Sequence, residues 1–93
     1  MREKDLERKL VNAAKAVGGL APKFTAPGMA GMPDRLILLP NGRLAFVEVK
    51  APGMQLRPLQ GYRKRQLEAL GFLVYCIDDP KQIGGVLDEI QSS

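Results

Sequence analysis

Asp34, Glu48 and Lys50 are the residues of this 93-residue chain whose types and spacing could do chemistry. Glu48 and Lys50 stand two apart in the apolar run LAFVEVK, so strand alternation puts their side chains on one face. Asp34 opens a second apolar run, DRLILL, and the two runs are joined across Pro40-Asn41-Gly42. Two carboxylates brought together can hold a divalent cation, which polarises a phosphate and helps ionise an attacking water. A lysine alongside can orient that water or stabilise developing charge. Whether the carboxylates meet depends on the turn. A two-residue Asn41-Gly42 turn would put Arg35 opposite Glu48. A three-residue Pro40-Asn41-Gly42 loop would put Asp34 there. Residue chemistry favours the second: proline suits the first central position of a type I turn, asparagine tolerates the next, and glycine takes the left-handed bulge position. Two like charges across a strand pair destabilise the sheet unless something positive lies between them. The bland alternative is an exposed hairpin, with Asp34 capping the loop and Glu48 and Lys50 as surface charges. An isolated E-x-K triplet would mean no more than that.

Composition narrows the chemistry. The chain has no histidine and one cysteine, Cys76. Imidazole bases, His-based zinc sites, internal disulfides and cysteine clusters are therefore excluded. Acidic residues remain as ligands, which points to a hard cation, Mg2+ or Mn2+. Residues 1–77 carry 13 Lys and Arg against 6 Asp and Glu, whereas residues 78–93 carry 1 against 4. A basic body of this kind suits a polyanionic partner and equally an ordinary solvated surface. No apolar stretch approaches the length of a membrane span, and MREKDLERK has no apolar leader core, so a cytoplasmic protein with no membrane association is expected.

The length allows one small domain, residues 1–93. Leu6, Leu10, Ala13, Ala14 and Val17 recur at helical spacing over residues 2–17, and Gly18-Gly19 ends that helix. A short first strand is read over residues 22–26, then a Pro/Gly loop over 27–33. Residues 34–39 and 43–50 read as the hairpin strands. A second helix runs from Pro58 to about Leu70, with Leu59, Tyr62, Gln66, Leu67 and Leu70 on one face, and stops at Gly71. FLVYCI (residues 72–77) reads as a buried strand, with Cys76 inside it, and Asp79-Pro80 starts a last helix bearing Ile83, Val86, Leu87 and Ile90. The order α–β–β–β–α–β–α, with a helical crossover after the hairpin, predicts an α/β domain whose mixed, twisted central sheet is flanked by helices.

Pro33-Asp34 followed by Glu48-Val49-Lys50 resembles the PD-(D/E)-x-K nuclease motif. The wider string resembles the VRR-NUC family, the virus-type replication-repair nucleases. It comprises Gly31 to Arg35, Asn41-Gly42-Arg43, Phe46 to Gly53 and Leu56 to Gln60, and the likeness extends over nearly the whole chain. The resemblance implies a restriction-endonuclease-like core and metal-dependent cleavage of DNA. It implies that Asp34 and Glu48 bind the metal, with the Val49 carbonyl as a backbone ligand, and that Lys50 is the catalytic lysine. It implies that Gln60 contacts the site or the phosphate and that Glu7 is the acidic residue of the first helix. On the helical wheel Glu7 also borders the buried stripe, from where it could point at the site; a solvated surface carboxylate is the competing reading.

Stand-alone members of the family resemble Holliday-junction resolvases that act as homodimers, and a small isolated member looks phage-like. The expected activity is thus structure-specific endonuclease cleavage of branched DNA. Flaps, ends or mismatched duplex are the alternative substrates, and a non-catalytic DNA-binding or assembly module is the alternative class. Arg57, Arg63, Lys64 and Arg65 gather around one helix and Arg35 adjoins the hairpin, so these are the candidate phosphate contacts. Basic residues on a helix are, taken singly, as often just its solvated face.

Overall fold

The computed structural model describes residues 1–93. Helix α1 spans Glu3–Ala16, opened by Asp5, whose carboxylate accepts the Arg2 N–H at 3.2 Å. It ends where the sequence places the stop. Gly18 takes φ 86°, a left-handed conformation that costs glycine little. The Gly18 and Gly19 N–H groups then donate to the Lys15 and Ala14 carbonyls at 3.0 and 2.8 Å, closing the last turn.

Strands β1 (Arg35–Leu39) and β2 (Arg43–Val49) pair antiparallel, with Leu39 opposite Arg43 and Arg35 opposite Val47. That is the three-residue-loop register, and it carries Asp34 to the position facing Glu48. The loop conformation differs from the type I turn read from its residues. Asn41 takes φ 69° and Gly42 φ 70°, so both are left-handed. Asparagine tolerates this because its short polar side chain crowds the backbone little.

Helix α2 (Pro58–Ala69) crosses over, and β3 (Leu73–Ile77) returns parallel to β2, leaving β2 at the centre of a mixed three-stranded sheet. A 3-10 turn (Pro80–Gln82) precedes α3 (Ile83–Gln91), so the last regular helix starts a turn later than Asp79-Pro80 suggests. The strand expected over residues 22–26 does not form. Isolated bridges pair Leu20 with Leu38 and Lys23 with Arg35 instead. Pro22 has no N–H to donate, so this segment covers the free edge of β1 through scattered bonds without building a ladder.

Helices α1 and α3 pack on one face of the sheet. The core there joins Leu6 and Leu10 of α1, Ile37, Leu39, Ala45, Val47, Val49 and Ile77 of the strands, and Ile83, Leu87 and Ile90 of α3. Alternation along β2 then sends Phe46 and Glu48 to the opposite face, where α2 lies. On that face Phe46 stands between Phe24 and Phe72, each edge-on with ring centroids 5.7 Å apart. Of the stripe that its apolar residues trace, helix α2 buries only Leu67. Leu59, Tyr62 and Leu70 are exposed, while Gln60 and Leu67 are buried. The inward face is polar at its first turn, where Gln60 lies on the Glu48 carboxylate, and apolar further along, where Leu67 is buried beside β3.

Candidate active site

Three local features set the geometry. The turn register brings Asp34 to Glu48. The alternation of β2 turns Glu48 away from the core. Proline at the start of α2, with Gln60 in its first turn, aims a side-chain amide at the sheet. Asp34 is held by the β2 backbone: the Val49 N–H donates to its Oδ1 at 3.3 Å. Glu48 is only 8% exposed, and its Oε2 accepts from Gln60 Nε2 at 3.2 Å and lies 3.3 Å from Lys50 Nζ. The Gln60 amide is used at both ends, since its Oε1 accepts the Arg57 N–H at 2.9 Å. The residue that caps the first turn of helix α2 therefore also orients Glu48. Gln60 thus meets the site through Glu48.

The two carboxylates are not equivalent. Lys50 and Gln60 neutralise and hold Glu48. Asp34 has no cation against it. Its carboxyl is pushed up to about 6, first by burial and then by the Glu48 charge, with a smaller contribution from Glu7, while the Val49 N–H opposes the shift. Asp34 Oδ2 and Glu48 Oε1 are left without a donor. Two hard oxygens on adjacent strands, one of them electrostatically uncompensated, suit a small divalent cation that completes its shell with phosphate and water. No three acidic or cysteine side chains approach closely enough to make a closed cage, so the arrangement is an open one. Beside it, Glu48, Lys50, Gln55, Arg57, Gln60 and Glu3 line a cleft of about 450 Å³.

The other sequence-derived candidates separate. Glu7 does not point freely into the site. Its Oε1 pairs with Arg35 Nη2 at 3.2 Å on the α1 side of the sheet. Arg35, expected as a DNA contact, is corrected. It is 8% exposed, and its Nη1 donates to the Ala21 carbonyl at 2.6 Å, so its guanidinium is spent inside the protein. Arg63 donates to the Ala30 carbonyl at 2.9 Å and to Gln66 at 3.0 Å, and Lys64 pairs with Glu68 at 2.9 Å. Arg57 and Arg65 remain exposed, and neither is in an ion pair. Cys76, opposite Glu48 in the β2–β3 register, is half-buried, and its thiol is pushed up by burial and by the Asp78 and Glu48 charges, which keeps it a thiol.

Gly31 opens the string that resembles the family, but its structural part was not legible in the sequence. A Cβ there would lie 2.7 Å from Leu59 Cγ and 2.9 Å from the Leu59 carbonyl oxygen, and the residue sits at φ 87°. Gly31 lets the loop before Asp34 press against the start of α2, next to Gln60. Its place two residues before Pro33-Asp34 was the available signal, but the neighbour it accommodates is 28 positions away.

These elements make the α/β restriction-endonuclease-like class, with an acidic pair and a lysine at the hairpin. No family model matches the chain. Over 78 residues the chain is 46% identical to a protein described as "Putative nuclease p44" of Acyrthosiphon pisum secondary endosymbiont phage 1, covering 84% of each. A solved structure described as "VRR_NUC domain" superimposes with a TM-score of 0.86 at 29% identity, over 92% of this chain and 94% of that one. The chain belongs to the VRR-NUC family of nucleases.

Proposed function

We propose that this chain is a Mg2+- or Mn2+-dependent endonuclease that cuts phosphodiester bonds in branched DNA such as four-way junctions. The observation that carries the reading is the convergence of Asp34 and Glu48 from adjacent strands, with Lys50 beside Glu48 and no counter-charge on Asp34. Asp34 Oδ2, Glu48 Oε1 and the Val49 carbonyl would hold the cation. When bound, the cation supplies Lewis acidity at the phosphate and lowers the pKa of the attacking water. Gln60 keeps Glu48 in one orientation. Lys50 offers its ammonium to the water or to the charge that develops on the phosphate. Arg57, exposed on the cleft wall, and Arg65, exposed on α2, supply phosphate contacts that position a backbone without reading bases.

A homodimer accompanies this reading, because α2 leaves Leu59 and Tyr62 exposed one turn apart and two copies would offer one site per strand of a junction. No helix is long and apolar enough to cross a membrane. Likeness to a phage protein supports action in the cytoplasm of a phage's host. The test is cleavage of a four-way junction, a flap and plain duplex across a metal titration, with EDTA as control. Wild-type protein is expected to cut the junction best, and Asp34→Ala, Glu48→Ala and Lys50→Ala to abolish cutting without loss of fold. Full activity of the Lys50 variant would refute the mechanism. Preferential cutting of flaps or duplex would move the substrate, and light scattering at 10.2 kDa would remove the dimer.

A further inference from the structure

We infer that Arg35 is a positioning residue of the cation site: it pairs with Glu7 behind the sheet and sets the net charge that the ion meets at Asp34. The inference rests on the reading of Asp34 and Glu48 as the cation's holders.

Arg35 opens β1 and turns to the face opposite that of the preceding Asp34, so the guanidinium lies on the α1 side of the sheet, against Glu7. It makes two contacts there, to Glu7 Oε1 at 3.2 Å and to the Ala21 carbonyl at 2.6 Å. Its Nε is buried with no partner. An ion pair that buries an unsatisfied N–H is a poor source of stability, since an apolar pair of similar volume would serve as well or better. What the pair does provide is a fixed distribution of charge. Glu7 lies near enough for its charge to bear on Asp34. The charges that bear on Asp34 are thus those of Glu48 and Glu7, with Glu3 and Arg57 standing as one charge of each sign on the wall of the adjoining cleft. Lys50 answers Glu48 and Arg35 answers Glu7, which leaves one uncompensated negative charge, at Asp34. Arg35 also takes up one oxygen of Glu7 and ties α1 to the strand that carries Asp34, so Glu7 contributes charge to the site without swinging into it.

Charge-setting predicts effects of opposite sign, which a purely structural role does not. An unpaired unit charge behind the sheet acts on a divalent ion through partly screened protein and changes its affinity several-fold. Mn2+ binding to the full chain, measured by calorimetry without DNA, reads this directly. Arg35→Gln is expected to bind Mn2+ more tightly by that factor and Glu7→Gln more weakly. The Arg35→Gln/Glu7→Gln double variant should return near the wild-type affinity, and Arg35→Lys should stay near it. Weakening in both single variants, or an unchanged affinity in both, would overturn the inference while leaving the proposed metal site standing. Absence of Mn2+ binding by the wild-type chain would overturn both. If Arg35→Gln does not fold, Arg35→Met takes its place: tighter Mn2+ binding by it together with weaker binding by Glu7→Gln supports the inference, and any other pair of signs refutes it.

Discussion

Replacing Asp34 by asparagine should stabilise the metal-free protein at neutral pH, even though it removes the group on which the site depends. The folded-state carboxyl is raised from 3.8 to about 6. A raised acid binds its proton more tightly in the folded than in the unfolded chain. Its contribution is therefore fully present below about pH 4 and is lost as pH rises through about 6. A shift of about two units corresponds to about 3 kcal/mol. Asp34 is only half-buried, so solvent screening reduces this to about 1–2 kcal/mol. Asparagine keeps an oxygen for the Val49 N–H and carries no charge. In EDTA at pH 8, Asp34→Asn is thus expected to melt about 4–16 °C above wild type. At pH 3 the two should melt together. The difference between the two melting curves across pH isolates this one carboxyl from the other titrating groups. Adding Mn2+ should raise the wild type and leave the variant unmoved. A variant no more stable than wild type at pH 8 would show that the site is not electrostatically strained, and the case for a cation there would lose its physical basis.

Gly31→Ala should cost about 3 kcal/mol or more, because a left-handed alanine loses about 1–2 kcal/mol and its methyl also meets the Leu59 backbone. Gly28→Ala, at φ 83° with nothing within 4 Å, should lose only the conformational part, and equal losses in urea melts would discount the close approach. Gln60→Leu leaves the Arg57 N–H and Glu48 without their shared partner and should cost about 1–3 kcal/mol together with most of the cleavage activity; a fully active, equally stable variant would deny Gln60 its role. In a Tyr62→Phe background, Tyr75 should ionise near pH 12 by ultraviolet titration, raised first by burial and then by its 2.7 Å bond to Glu89, and Glu89→Gln should bring it down. Stability linked to Tyr75 is present below about pH 10 and is lost as pH rises through about 12.

Much of this site was legible from short-range pattern. The residues of Pro40-Asn41-Gly42 predicted the loop length, the loop length set the register, and the register put Asp34 opposite Glu48. The stripes of α1 and α3 appeared as spaced, because their partners are apolar strands that reward an apolar face. Helix α2 departs from that pattern for the complementary reason: its buried positions are Gln60 and Leu67, and most of its hydrocarbon, at Leu59, Tyr62 and Leu70, faces out.

Local chemistry thus decides what residues of one element have in common: a strand face, a helical stripe, a stop at glycine, a hairpin register. Those depend on bond geometry and on neighbours a few positions away, and the chain carries them openly. Which charge answers which depended on packing alone. Arg35 reads as a surface cation until α1 lays Glu7 against it, 28 positions away. Gln60 reads as an ordinary first-turn residue until the crossover sets it on Glu48. Ion pairs and burial depend on separation in space, and only the folded chain brings such distant positions to within a hydrogen bond of each other.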